Sequence, residues 1–216
     1  MRAGPELESL PFVSKLRVGV LVSHNGSNLR ALHRAASQPE APFEVVAVIS
    51  NNSGSPGLAY ARENRIATRH LSGRTHPDPE QLDSAICATF VGHSVELIVT
   101  AGYMKKLGPR TREQFAPRIL NIHPALLPRF GGPGMHGNHV HQAVLDSGDS
   151  VSGPSVHIVE DEYDTGEVIA QLEVPVLADD TVDTLAARVL TAEHTLLPLV
   201  VQQIATRQMS VGQRRL

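Results

Sequence analysis

Asn121 and His123 stand two residues apart at the end of a short apolar run, Ile119 to His123. If that run is a strand, both side chains project from one face at its carboxyl end. An amide that can donate a hydrogen bond and an imidazole that can carry a proton are then aimed at one point. The following residues, Pro124 to Gly137, include three prolines and four glycines, so they can continue neither strand nor helix and form a shaped loop. An arbitrary Asn-x-His at a strand end more often caps local backbone. What argues for a reaction centre is the company these two residues keep.

Two further signals provide that company. Asn25-Gly26-Ser27-Asn28 follows a β-branched run and precedes a helical pattern, so its backbone N–H groups and the helix dipole converge on a spot suited to a phosphate. The turn lacks the glycines of a dinucleotide fingerprint and the lysine of a phosphate loop, and Ser27 or Asn25 capping the helix is its structural alternative. Asp164 sits in an acid-rich turn, within Tyr163-Asp164-Thr165-Gly166, where most acids are expected on a solvated surface. Beside His123, its carboxylate is expected to favour the imidazolium and raise that pKa. His123 then donates a proton, and Asp164 accepts one.

The elements that must position these groups alternate regularly. Strand patterns at Leu16–Ser23, Phe43–Ser50, Thr68–Leu71, Glu96–Thr100 and Ile119–His123 are separated by helical patterns at Leu29–Ala36, Leu58–Asn64, Asp78–Gly92 and Pro109–Phe115. Such alternation predicts an α/β fold: a Rossmann-like, doubly wound, mostly parallel sheet with right-handed crossovers. After the loop come a helix at Asn138–Ser147 and two β-type runs, Ser155–Glu160 and Val168–Val176. Their connection is too short for a crossover helix and predicts an antiparallel C-terminal strand pair. Asp180 or Thr181 caps a long C-terminal helix from Val182 to about Arg207, with Pro198 expected to kink it. In sheets of this kind ligands bind beyond the strands' carboxyl ends, where the first turn, Gly102-Tyr103-Met104 and Asn121/His123 all fall.

Composition narrows the partners. In 216 residues, 19 basic and 22 acidic side chains leave a net charge of −3, which gives no global field for nucleic acid or anionic membrane. Small-molecule substrates are expected, with the chain a monomer or homodimer. Cys87 stands alone in an apolar helical pattern and reads as a buried free thiol in a reducing, cytoplasmic setting. Residues 1–14 carry no secretory or membrane-spanning pattern and read as a disordered leader, 15–207 as a single domain, and 208–216 as a tail.

Together these motifs resemble the phosphoribosylglycinamide formyltransferases, the 10-formyltetrahydrofolate-dependent enzymes of purine biosynthesis. The residues that carry the resemblance are Gly26-Ser27-Asn28-Leu29, Ala101-Gly102-Tyr103-Met104, Asn121-Ile122-His123-Pro124 with Leu126-Leu127-Pro128, Ser155-Val156-His157, Asp161 through Gly166, and Glu193-His194. They cover nearly the whole chain between the tails. The resemblance implies that Asn121 and protonated His123 stabilise the oxyanion of formyl transfer and that Asp164 acts as base. It implies that Gly26, Ser27 and Asn28 hold the substrate phosphate and Glu193 the substrate amine. Folate is expected near Met104, Lys105, Leu107, Val159, Asp161 and Asp164. 10-Formyltetrahydrofolate enters as cosubstrate, and no metal is implied, so His136, His139 and His141 are not read as ligands. His157 is expected to be a buried, hydrogen-bonded histidine near the site.

Two features depart from the commoner family pattern. The loop from Gly131 to Gly137 is longer, and His24 occupies a position that is often glycine. Three rivals share parts of the signal. A formyltetrahydrofolate hydrolase uses the same Asn, His and Asp but usually carries an N-terminal regulatory domain, for which 15 residues leave no room. A methionyl-tRNA formyltransferase needs a C-terminal barrel and a basic surface. A non-catalytic nucleotide-binding module needs the first turn but not the Asn121, His123 and Asp164 set.

Overall fold

The computed structural model describes residues 14–211. The expected leader, apart from Ser14, and the last part of the expected tail lie outside the described residues. Among the described residues nine strands and six helices follow in order: β1 (Leu16–Val22), α1 (Ser27–Ala36), β2 (Phe43–Ser50), α2 (Pro56–Glu63), β3 (Ala67–His70), α3 (Pro79–Gly92), β4 (Leu97–Thr100), α4 (Pro109–Phe115), β5 (Ile119–His123), α5 (Asn138–Ser147), β6 (Val151–Ser152), β7 (Ser155–Ile158), β8 (Val168–Gln171), β9 (Val174–Pro175) and α6 (Val182–Ala205). Seven strands form one sheet in the order β3-β2-β1-β4-β5-β7-β8. The first five are parallel, while β7 runs antiparallel to both β5 and β8.

Alternation along β1 explains why helices cover both faces. Val18, Val20 and Val22 join Leu29 and Leu32 of α1 and Leu196 and Val200 of α6 in one core cluster. Leu21 faces the other way, with Ile86 and Phe90 of α3 and Phe115 of α4. Gly19 allows this second layer its close approach, since a Cβ there would stand 2.6 Å from the Phe90 ring. The helix starts follow local chemistry: Ser55 caps α2 through its side chain, Asp78 caps α3, and Thr181 with Thr184 forms a capping box on α6. By length and hydropathy α6 is long enough to cross a membrane, yet Leu185, Val189, Leu196 and Val200 along it are buried in the protein.

The second expected β-run divides. β8 stops at Gln171, and Val174–Pro175 forms β9, which pairs with β6 in a separate two-stranded sheet. Gly153 fixes the point of division, because it has φ 145° and a Cβ there would collide with the Leu172 carbonyl.

Ser155, at the start of β7, anchors the segment after β5. Its fully buried hydroxyl donates to the Ala125 carbonyl at 2.6 Å and accepts from the Leu127 N–H at 3.0 Å. Gln171 of β8 adds a bond from Nε2 to the Leu127 carbonyl at 2.9 Å. The chain leaving His123 is thus held from two neighbouring strands. Ser155→Ala strands a buried N–H and weakens a buried carbonyl, each unmet group costing about 1–3 kcal/mol. Urea unfolding of this variant is expected to show a lower midpoint with an unchanged slope; an unchanged midpoint would mean that the loop is held by other contacts.

Candidate functional site

β1, β4 and β5 end together where strand order reverses about β1, and a cavity of about 520 Å³ opens there. Its walls bring together the turn at Gly26-Ser27-Asn28, Met104 after β4, Asn121 and His123 of β5, Asp164, and Glu193 of α6. A smaller cavity of about 80 Å³ adjoins it and is lined by Lys105, Leu107, Val159 and Asp161. The two share Tyr103, Asn121, Tyr163 and Asp164. Residues from five segments of the sequence therefore meet at one crevice, with Asn121 and Asp164 on the wall between its compartments.

Asp164 is the hub of the polar contacts. Its Oδ2 accepts from the Gly132 N–H at 2.9 Å and lies 3.6 Å from His123 Nδ1, while Oδ1 lies 3.4 Å from His157 Nε2. The backbone adopts φ 56° at this residue, a left-handed conformation that aspartate tolerates better than most side chains. Close packing against Gly131 reinforces the placement, because a Cβ on Gly131 would approach that of Asp164 to 3.2 Å. On its other side His123 Nε2 donates to the Phe130 carbonyl at 2.7 Å. Both imidazole nitrogens thus face acceptors, an arrangement that only the imidazolium satisfies fully.

Burial nonetheless decides the resting state of His123. The ring is 3% exposed, and desolvation pulls its pKa below the ordinary 6.5; the nearby Asp164 carboxylate and the Phe130 carbonyl push upward but do not offset it, and His157 adds a further downward push. The expected rise is therefore corrected. Asp164 acts in the anticipated direction, but removing the ring from water outweighs a carboxylate 3.6 Å away. For Asp164 itself burial raises the pKa, yet the His157 contact, the His123 ring and the Gly132 N–H together hold it below the ordinary value of 3.8. Asp164 is ionised at neutral pH.

The first turn has the form an anion needs. Gly26 precedes α1 with φ 66° and makes no side-chain cap bond, so neither Asn25 nor Ser27 fills the helix start. Gly26 and Gly57 also pass backbone to backbone, since a Cβ on Gly26 would lie 2.8 Å from the Gly57 Cα. His24 is exposed on the cavity rim, and its carbonyl accepts from the Gly57 N–H at 3.1 Å and the Ser55 hydroxyl at 2.9 Å. Behind the turn, Asn28 Nδ2 donates to Glu193 Oε2 at 2.6 Å. Burial raises the Glu193 pKa, and the Asn28 bond pulls against it.

His157 is 2% exposed, with Nδ1 donating to the Ile158 carbonyl at 2.9 Å and Nε2 3.0 Å from Asn121 Nδ2. His136, His139 and His141 do not converge. His136 and His139 stack edge to face on the surface, whereas His141 turns inward and is buried. Among the described residues there is no group of three His, Cys, Asp or Glu side chains placed to hold a metal ion. Cys87 is a buried free thiol in α3. Sequence reasoning missed the Phe130 carbonyl and Gly132 N–H, which are backbone groups and leave no residue signature. It also missed Thr100, whose position at the end of the strand beside Asn121 was a usable signal.

Residues 16–201 match the family described as formyl transferase. The chain is 40% identical over 194 residues to the chloroplastic phosphoribosylglycinamide formyltransferase of Arabidopsis thaliana, covering 89% of this chain but 66% of that relative, just under two thirds of its length. It is 39% identical to the phosphoribosylglycinamide formyltransferase of Escherichia coli strain K12, covering 91% of this chain and 90% of that relative. The crystal structure of phosphoribosylglycinamide formyltransferase from Brucella melitensis superposes with a TM-score of 0.83 at 42% identity, over 92% of this chain and all of the other.

The electrostatics give a direct expectation. In the free protein the NMR titration midpoint of His123 falls below 6.5. Asp164→Asn removes the upward Coulomb push and moves it lower still. Because the folded-state pKa values of His123 and Asp164 are both depressed, the stability linked to them is present at high pH. It is lost as pH falls below 6.5 for the histidine and below 3.8 for the acid, through each folded value. An unchanged His123 midpoint in the variant would separate the two groups electrostatically.

Proposed function

The chain belongs to the formyl transferase family, and from that premise we propose that it transfers the formyl group of 10-formyltetrahydrofolate to the amine of glycinamide ribonucleotide, a step of purine biosynthesis. One observation carries the reading: Asn121, His123 and Asp164 line the same cavity as the uncapped start of α1. A phosphate-bearing substrate and a polarisable carbonyl can therefore share it. The ribonucleotide phosphate rests on Gly26, Ser27 and Asn28, and Glu193 holds the amino end. Folate lies along Met104, Lys105, Leu107, Val159 and Asp161 with its formyl carbon toward Asn121. We read residues 15–207 as one formyltransferase domain, working in the cytoplasm on small molecules.

In the reaction the substrate nitrogen attacks the formyl carbon, the carbonyl oxygen becomes an oxyanion, and the bond to the folate nitrogen then breaks. Asn121 donates to that oxygen through Nδ2. Asp164, ionised and anchored, takes the proton that the attacking amine loses. Burial disfavours the charged form of His123 at rest, but negative charge developing on the oxyanion favours its imidazolium, formed with a proton taken from solvent and returned when the oxyanion collapses. Its charge thus arrives with the transition state rather than being held in the ground state. Asp164 then gives the proton it took to the departing folate nitrogen, so the hydrogen lost by the amine is the one folate gains.

The decisive assay follows folate absorbance with 10-formyltetrahydrofolate, with and without glycinamide ribonucleotide. Turnover that requires the ribonucleotide is expected. A formyltetrahydrofolate hydrolase would turn over without it, and a nucleotide-binding module not at all. Asn121→Ala is expected to lower kcat about 100- to 1,000-fold with KM little changed, as for loss of an oxyanion donor. Inorganic phosphate is expected to compete with the ribonucleotide and not with the folate; competition against folate alone would mean the two subsites are reversed.

A further inference from the structure

Thr100 ends β4 directly beside Asn121 in the parallel register. It is 7% exposed, and its Oγ1 lies 2.6 Å from Asn121 Oδ1, closer than the 3.2 Å to the Leu120 carbonyl. We propose that Thr100 is a positioning residue that fixes which way the Asn121 amide faces, and so keeps an N–H rather than a carbonyl oxygen toward the reacting centre.

Contacts on both sides of Asn121 define how its amide is turned. The Ile158 carbonyl can only accept, so His157 Nδ1 carries the hydrogen in that 2.9 Å contact. His157 Nε2 lies 3.4 Å from Asp164 Oδ1 and 3.0 Å from Asn121 Nδ2. The Asn121 amide nitrogen therefore faces His157, and its oxygen faces Thr100. The Thr100 hydroxyl donates to that oxygen. With the oxygen held there, Nδ2 is the edge of the amide that can donate to a ligand in the cavity that Asn121 lines. Without the hydroxyl, Asn121 Oδ1 would face a hydrocarbon wall, a part-buried acceptor without its partner, and rotation of the amide would relieve it. A rotated amide turns lone pairs toward an oxyanion and repels it.

The proposal rests on Asn121 acting as the oxyanion donor, and two variants test it. Thr100→Val keeps the branched shape and removes the donor; Thr100→Ser keeps the donor and removes the methyl. Roughly a 5- to 10-fold lower kcat is expected for Thr100→Val, with both KM values within about twofold of wild type and Thr100→Ser close to wild type. Wild-type kcat in Thr100→Val, or equal losses in both variants, would overturn the proposal, the second result pointing to packing alone. The Asn121 side-chain amide resonances, followed by NMR without substrate, read the contact independently of turnover. They are expected to move in Thr100→Val and return in Thr100→Ser, and resonances unmoved by Thr100→Val would overturn it. If wild-type protein transfers no formyl group while these shifts occur, the reading of the reaction fails and the Thr100 contact stands.

Discussion

A carboxylate that stays ionised while largely buried is the constraint on which the site depends. Asp164 is 10% exposed at its side chain, and burial alone would raise its pKa above the ordinary carboxylate value. One N–H and two imidazoles reverse that outcome, and each comes from a different part of the chain: Gly132 from the loop after β5, His123 from β5, and His157 from β7. Losing any of them leaves the charge less compensated. The same contacts join the two long loops at the sheet's open end, so the electrostatic requirement of the acid is also what shapes the crevice.

Rigid elements carry this arrangement to within hydrogen-bond tolerance. Asn121 and His123 lie on a strand flanked by β4 and β7, and their opposite numbers, Thr100 on one side and His157 with Ser155 on the other, come from strand register. Pairing therefore delivers the polar neighbours without help from loops. Loops supply only what strands cannot: the Phe130 carbonyl, the Gly132 N–H and the Asp164 carboxylate, with positive φ at Phe130, Gly132 and Asp164. Backbone strain of this kind persists only where surrounding contacts over-determine it. Here those contacts are the bonds to His123 and His157.

Much of this was legible in the sequence, for identifiable reasons. The β-branched run at Val18–Val22 and the apolar spacing on α6 fixed the layers, since burial on both faces of a parallel sheet leaves little choice of residue. β5 and α5 were bounded correctly because Asn121/His123 and Asn138 sit at sharp changes of pattern. The division of Val168–Val176 into β8 and β9 was not legible, as it depends on where Gly153 lets two backbones touch. The direction of the His123 shift was misjudged for a similar reason. Sequence names the carboxylate neighbour but not the depth of burial, and depth won.

Whether His123 and Asp164 work as one unit is the central claim, and a double-mutant cycle on kcat/KM for formyl transfer measures it. His123→Asn, Asp164→Asn and the combined variant are compared under identical conditions with both substrates. Groups that act through each other lose their joint contribution once, so the double variant is predicted to be about as slow as the slower single variant. Fold-losses that multiply in the double variant would show two independent groups and contradict the account.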